Sequence, residues 1–128
     1  MNGSILDTNV IIRIIKGDIA VANEVHKINQ IRIPVIVMGE LIFGAEKSQL
    51  KQSNKEKYVN FCLSYPLLDV TKKVAEEYGK LKYVLQKSGN IMPENDMWIA
   101  ATAIANDLQV VTQDRHFDLI KGLTVLKI

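Results

Sequence analysis

The sequence is poor in cysteine, histidine and proline, and the first two scarcities each exclude a class of protein. Its 128 residues include one cysteine, two histidines and three prolines. A single cysteine, Cys62, cannot form a disulfide within the chain, and its apolar setting indicates packing. His26 and His116 are too far apart in sequence to offer a local zinc-binding pair. We therefore expect neither a disulfide-stabilised fold nor a structural zinc site.

Long apolar runs are also missing. Charged residues such as Lys16 and Glu40 interrupt every segment that approaches the length of a membrane span. The first residues lack the basic region and the small-residue cleavage site of a signal peptide. We therefore expect a protein that does not enter the membrane and that works in the cytoplasm.

An excess of charge of one sign is absent as well. There are 16 lysines and arginines against 14 acidic residues, and the resulting net charge of +2 neither requires nor excludes a nucleic-acid partner. Hydrophobic residues make up 48% of the chain and charged residues 23%, which is typical of a globular protein. The length predicts a single domain over residues 1–128.

Short apolar segments alternate with segments of helical pattern. The predicted strands are 3–7, 31–37, 67–70, 109–112 and 123–128. The predicted helices are 10–17 (capped by Thr8 or Asn9), 19–29, one from about residue 38, 53–65, one capped by Thr71 that ends near Lys87, 94–106 with Pro93 in its first turn, and 116–120. The polar residues 46–57 indicate an exposed connection. This alternation predicts an α/β fold with a central parallel sheet of about four to five short strands, flanked by helices.

Four acidic residues differ from the others in their surroundings. Asp7 ends the first predicted strand, and Glu40 is the only charge in residues 34–45. Asp96 shares a helical stripe with the apolar residues three, four and seven positions later, and Asp114 lies just after the fourth predicted strand. Ligands of parallel sheets bind beyond the carboxyl ends of the strands, so these four side chains are expected on one rim of the sheet.

Each acid also has an ordinary structural interpretation when it is taken alone. Asp7 could cap a helix, Asp96 could complement a helix dipole, and Asp114 could be a turn residue. Together, however, four carboxylates on one rim would repel one another and raise their pKa values. Arg13 and Arg115 are the only cationic residues near the motifs, and a divalent cation with oxygen ligands, Mg²⁺ or Mn²⁺, is the better explanation.

Four short motifs, in this order, resemble those of the PIN-domain ribonucleases, and more narrowly those of the VapC toxins of toxin–antitoxin pairs. The resemblance runs from about residue 4 to residue 126. The motifs are Asp7-Thr8-Asn9, Gly39-Glu40-Leu41, Asn95-Asp96, and Thr112-x-Asp114 followed by His116-Phe117.

The resemblance implies a PIN-like fold and metal-dependent hydrolysis of phosphodiester bonds in RNA. It implies that four acids are catalytic and bind the metal: Asp7, Glu40, Asp96 and Asp114. Asn9 and Thr112 match polar positions beside these acids, where they would orient ligands or the scissile phosphate.

The resemblance also implies partners. The segment GAEKS at 44–48 resembles that of toxins that cut initiator tRNA, although that group often carries asparagine where this chain has Gln113 and Asp114. Candidate contacts to RNA phosphates are Arg13, Lys47 and Arg115. An antitoxin that covers the first two helices, and a homodimer, are further implications.

Two other functions remain open at this point. One is a PIN-type ribonuclease of housekeeping RNA processing. The other, from a different class, is a Mg²⁺-binding phospho-acceptor signalling domain, which also gathers acids at the rim of a parallel sheet.

Overall fold

A parallel sheet of five strands forms the centre of the computed structural model, which describes residues 3–128. The strands are β1 (Ser4–Leu6), β2 (Ile31–Pro34), β3 (Leu67–Leu68), β4 (Gln109–Thr112) and β5 (Val125–Lys127). Their order across the sheet is β3-β2-β1-β4-β5, and every neighbouring pair is parallel. The prediction of an α/β fold with a parallel sheet is confirmed.

The described residues form six α-helices and one short 3-10 helix between and beside these strands. The helices are α1 (Thr8–Ile15), α2 (Ile19–His26), α3 (Val35–Glu46), α4 (Lys51–Leu63), α5 (Lys72–Lys87) and α6 (Glu94–Ala105), and the 3-10 helix is Arg115–Leu119. No helix within residues 3–128 combines the length and the apolar composition that crossing a membrane requires. The expected single domain over residues 1–128 includes two residues, 1 and 2, that lie outside the described part of the chain.

The sheet is buried on both faces. Successive side chains of a strand point to opposite sides, and Ile5 and Leu6 of β1 are both 0% exposed, as are Val110 and Val111 of β4. Helices therefore cover the two central strands from both sides. This burial holds the carboxyl ends of β1 and β4 next to each other, where Asp7 and Thr112 emerge.

The boundary between β2 and α3 differs from the prediction. The strand ends at Pro34 and the helix begins at Val35, three residues earlier than the predicted start near residue 38. Pro34 has an extended backbone and no N–H to donate, so it suits the position just before a helix. The apolar residues that follow bury Val37, Leu41 and Ala45 at a spacing of four, which is a helical pattern.

Residues 46–57 are mostly helical, and the prediction of an exposed connection over this whole segment is wrong. Helix α3 ends at Glu46 and α4 begins at Lys51, so the connection is residues 47–50. Lysine, glutamate and glutamine favour helices, and polarity reports exposure rather than backbone conformation. Two other predictions are confirmed: Thr71 caps α5 by accepting the N–H of Val74 at 3.3 Å, and Cys62 is fully buried.

Candidate metal centre

Asp7 occupies the junction between β1 and α1 and is 3% exposed. Its backbone N–H donates to the carbonyl of Val111 at 2.9 Å, which ties the junction to β4. Oδ1 accepts the N–H of Thr8 at 2.8 Å, and Oδ2 accepts the hydroxyl of Thr112 at 2.7 Å. Asp7 is therefore the cap of α1, and the predicted cap at Thr8 or Asn9 is wrong because the helix begins at Thr8, two residues before the predicted start.

Glu40 lies midway along α3, partly buried, and its carboxylate joins three helices. Oε1 accepts the hydroxyl of Thr8 from α1 at 2.7 Å. Oε2 accepts the side-chain amide of Asn95 from α6 at 3.3 Å. The sequence motifs included both residues, but Thr8 was predicted only as a possible helix cap and Asn95 was given no role. The one signal available was that each adjoins a predicted acid.

Asp96 and Asp114 meet around His116. Asp96 stands in the first turn of α6, and Asp114 caps the 3-10 helix. The Nδ1 atom of His116 lies 3.3 Å from Oδ2 of Asp96 and 3.0 Å from Oδ1 of Asp114. Thr112 joins this group to Asp7, because its hydroxyl oxygen also accepts the N–H of Asp114 at 2.9 Å.

Burial and mutual repulsion raise the pKa of two of these acids. Burial raises the pKa of Asp7 to about 6, against the opposing hydrogen bonds from Thr112 and Thr8, and the charges of Asp96 and Glu40 add to the rise. The pKa of Asp96 is also raised, first by burial and then by nearby carboxylates, while its contact with His116 lowers it.

The structure thus brings the four predicted acids close together, and the charge of Asp96 interacts with those of the other three. Two of them, Asp7 and Glu40, are joined through Thr8, and the other two, Asp96 and Asp114, through His116. Donor atoms of Asp96, Asp114 and His116 all lie within 4.8 Å of one another. Partly buried carboxylates that repel one another are suited to a divalent cation, which would offset the repulsion and accept their oxygens as ligands. The residues present fit such an ion.

His116 is the site residue that the sequence analysis missed. The fourth sequence motif contains His116, but the sequence excluded the two histidines only as a local zinc-binding pair with each other. The structure pairs His116 with acids instead, and its position two residues after Asp114 was the available signal.

Comparison with known families agrees with this geometry. The PIN domain model matches residues 4–123. The chain belongs to the PIN-domain family. Two relatives of this PIN domain are ribonuclease VapC2 of Rickettsia felis, 36% identical over 98 residues (76% of this chain and 73% of the relative), and the tRNA(fMet)-specific endonuclease VapC of Shigella flexneri, 32% identical over 121 residues (92% of each chain).

A solved structure is similar to this chain in its fold as well as in its sequence. VapBC2 from Rickettsia felis, bound to a DNA fragment from its promoter, contains a chain similar to this PIN domain with a TM-score of 0.91. The two chains are 32% identical, and the match covers 98% of each. The resemblance to VapC proteins that the motifs indicated is confirmed.

Membership of the PIN-domain family removes the phospho-acceptor alternative. Signalling domains of that class have the strand order 2-1-3-4-5, in which the third strand lies beside the first. In this PIN domain β1 lies between β2 and β4, and the acids follow β1 and β4 or stand on α3 and α6.

The other predicted site residues differ in how close they lie to the acids. Asn9 accepts the N–H of Gln113 through Oδ1 at 3.4 Å, so it holds the loop after β4 rather than an acid. Lys47 and Glu40 line the same groove of the PIN domain, and the ammonium of Lys47 lies 4.5 Å from the ring centre of Phe43.

The two arginines are placed less favourably. Arg13 is engaged in an ion pair with Asp18, in which Nη2 and Oδ2 are 2.8 Å apart. Arg115 is exposed at the start of the 3-10 helix, directly beside Asp114.

Proposed function

We propose that this chain is the toxin of a VapC-type toxin–antitoxin pair, an endoribonuclease that uses Mg²⁺ or Mn²⁺ to hydrolyse phosphodiester bonds in RNA. The observation that carries the proposal is the gathering of the four acids at the carboxyl rim of a PIN-domain sheet. The relatives of this chain are named as ribonucleases, and one of them as a tRNA(fMet)-specific endonuclease. Transfer RNA is therefore the substrate to test first.

The proposed catalytic and metal-binding residues are Asp7, Glu40, Asp96 and Asp114. A bound divalent ion supplies charge stabilisation for the reacting phosphate and lowers the pKa of water. The chain's own contribution is to hold the carboxylates in place. Thr112 and the first N–H of α1 hold the two oxygens of Asp7, and Asn9 holds the loop that carries Asp114. Such supporting hydrogen bonds fix the orientation of metal-binding groups.

The proposed RNA contacts lie beside the acids. Lys47 shares the groove of Glu40, and Arg115 adjoins Asp114, so both can offer a positive charge to phosphates that flank the cleaved bond. Arg13 would first have to leave its ion pair with Asp18, so we expect its contribution to RNA binding to be the smallest of the three.

The proposed partner is an antitoxin. The similar structure from Rickettsia felis is a VapBC2 complex. In this chain an apolar groove lined by Ile12, Val35 and Phe43 leads to Glu40, and Phe43 is 62% exposed. A segment laid along this groove would block access to the acids. We also propose a homodimer and a cytoplasmic location, in accordance with the sequence-based expectation.

A cleavage map tests the ribonuclease proposal. Total RNA and isolated tRNA are incubated with the purified chain and Mg²⁺ or Mn²⁺, and new 5′ ends are mapped by sequencing. We expect a small set of cleavage sites that disappears with a chelator and with Asp96→Asn. Asp69→Asn, at an exposed acid outside the cluster, is the matched control and should cleave like the wild type.

Cleavage that persists in both Asp7→Asn and Asp96→Asn would refute the proposal, because neither acid would then be needed. A housekeeping role makes a different prediction from the toxin role. A toxin arrests growth when the wild type is induced alone, and growth recovers when a small gene beside it is induced as well. A processing enzyme causes no such arrest.

A further inference from the structure

The imidazole of His116 stands inside the acidic cluster, and the roles proposed for the four acids leave it unassigned. Its Nδ1 atom is 3.0 Å from an oxygen of Asp114 and 3.3 Å from an oxygen of Asp96. The side chain is 44% exposed, against 14% for Asp96 and 30% for Asp114, so the ring occupies the solvent side of the pair. An ion bound between these two carboxylates would therefore lie close to this nitrogen.

The surrounding structure holds the ring in this position. Oδ1 of Asp114 accepts the backbone N–H of His116 at 2.9 Å, in addition to its contact with Nδ1. The next residue, Phe117, is fully buried and anchors the 3-10 helix in the core. Asp96 is anchored in turn by the buried neighbours of its helix, Met97 and Ile99. The three donor atoms therefore come from two separately anchored elements.

The separations suit a shared ion. Two ligands at right angles around an ion about 2.1 Å away are about 3.0 Å apart, and the two distances from Nδ1 are close to this value. All three donor atoms lie within 4.8 Å of one another. A hydrogen-bonded imidazole has similar distances, so the deciding observation must be nitrogen coordination itself.

We propose that Nδ1 of His116 is a ligand of the metal ion held by Asp96 and Asp114, and that this nitrogen makes the site prefer Mn²⁺ to Mg²⁺. Mg²⁺ takes oxygen ligands and keeps much of its water, whereas transition-metal ions accept imidazole readily. A site built from carboxylates alone would lack this source of discrimination. The inference rests on the metal centre of the proposed function and adds a ligand and a selectivity to it.

The test uses Mn²⁺ and Mg²⁺ as probes with the whole purified chain. Pulsed electron paramagnetic resonance of the Mn²⁺ complex detects a coordinated nitrogen directly, and calorimetry gives the affinity for each ion. His116→Gln removes the imidazole and retains a polar side chain. His26→Gln is the matched control, because His26 is the only other histidine and is exposed on α2. Thermal unfolding in a chelator checks that each variant is folded.

We expect a nitrogen coupling in the wild type and in His26→Gln that is absent in His116→Gln. Loss of a residue that merely supports a ligand costs about tenfold or more in metal affinity, so loss of the ligand should cost His116→Gln at least about tenfold for Mn²⁺, and less than about threefold for Mg²⁺. A wild-type complex without nitrogen coupling overturns the inference, as does an equal loss for both ions.

These outcomes are separable from those of the proposed function. If the wild type cleaves no RNA but shows the nitrogen coupling, the proposed function fails and the metal ligand stands. If it cleaves RNA and shows no nitrogen coupling, the proposed function stands and His116 is not a metal ligand. The spectra of the wild type and of His26→Gln together decide the ligand, because His116 is the one histidine left in that variant, so the inference remains testable even if His116→Gln does not fold.

Discussion

Replacing Asp7 with asparagine should remove a large part of the pH dependence of stability in the metal-free protein. Asp7 is 3% exposed, and burial together with the charges of Asp96 and Glu40 raises its pKa from the ordinary value of 3.8 to about 6. Between these two values the folded chain binds more protons than the unfolded chain. The free energy of unfolding therefore decreases as the pH rises through this window.

The size of the effect follows from the difference in pKa. Each pKa unit is worth about 1.4 kcal/mol, so the rise to about 6 costs the folded state about 3 kcal/mol once Asp7 is fully ionised. About 2 kcal/mol of this cost arises between pH about 4.5 and pH about 8. The remainder arises at lower pH, because Asp7 of the unfolded chain is already largely ionised at pH about 4.5. Asparagine does not titrate, so Asp7→Asn lacks this contribution.

Urea unfolding in a chelator at these two pH values measures the change. Wild type should lose about 2 kcal/mol more between them than Asp7→Asn does. Comparing each protein with itself cancels any constant cost of the altered hydrogen bond to Thr112. Asp69→Asn, at an exposed acid, should follow the wild type. Parallel pH profiles for wild type and Asp7→Asn would refute the claim that burial and neighbouring carboxylates disfavour the ionised form of Asp7.

Adding a divalent ion extends the same experiment. An ion that binds only the folded chain, at a concentration about a hundred times its dissociation constant, stabilises by about 2.7 kcal/mol. It should therefore offset the loss of about 2 kcal/mol that Asp7 causes in the wild type at high pH. Asp7→Asn should gain less, because it lacks one of the proposed ligands.

Substitutions at three further residues test separate features of the structure. Thr8→Val removes the hydroxyl that donates to Glu40 at 2.7 Å, so RNA cleavage at saturating metal should fall about tenfold. Thr8→Ser keeps a hydroxyl and should restore cleavage. Unchanged cleavage by Thr8→Val would show that the hydroxyl does not position Glu40. Gly3→Ala should lower the free energy of unfolding by about 1–3 kcal/mol, because Gly3 has a φ of +100° and a Cβ there would lie 2.5 Å from the carbonyl oxygen of Gln30. Gly79→Ala, where nothing lies within 4 Å of the added carbon, should instead raise it in the same urea assay by about 0.5–1 kcal/mol, and a loss at both glycines would contradict this account.

The four acids could be found in the sequence because each departs from its neighbours. Glu40 is the only charge in an apolar segment, and Asp7 interrupts two apolar runs, so their positions signal a local reason for a charge. Asp96 lies on the same helical stripe as Ile99 and Ala100, which the structure buries completely. Each contrast is between an acid and residues near it in the chain, so one sequence is enough to detect it.

Contacts between distant elements could not be found in this way. The hydrogen bonds that Glu40 accepts come from residues 32 and 55 positions away, Thr8 and Asn95, and they depend on how three helices meet. The start of α3 was ambiguous for a different reason. Val35 and Val37 are β-branched and favour a strand, whereas the burial pattern further along the segment is helical. Tertiary packing decides between the two, and it is not encoded within the segment itself.

The pairing of β1 with β4 also determines when the acidic cluster can assemble during synthesis of the chain. The backbone N–H of Asp7 donates to Val111, and its carboxylate accepts the hydroxyl of Thr112. Both partners are synthesised about a hundred residues after Asp7. A chain that ends before residue 109 contains Asp7, Glu40 and Asp96 but has no strand to complete the junction at Asp7. Copies that stop before β4 therefore carry three of the four acids without the assembled cluster, which forms only in a chain that extends past Asp114.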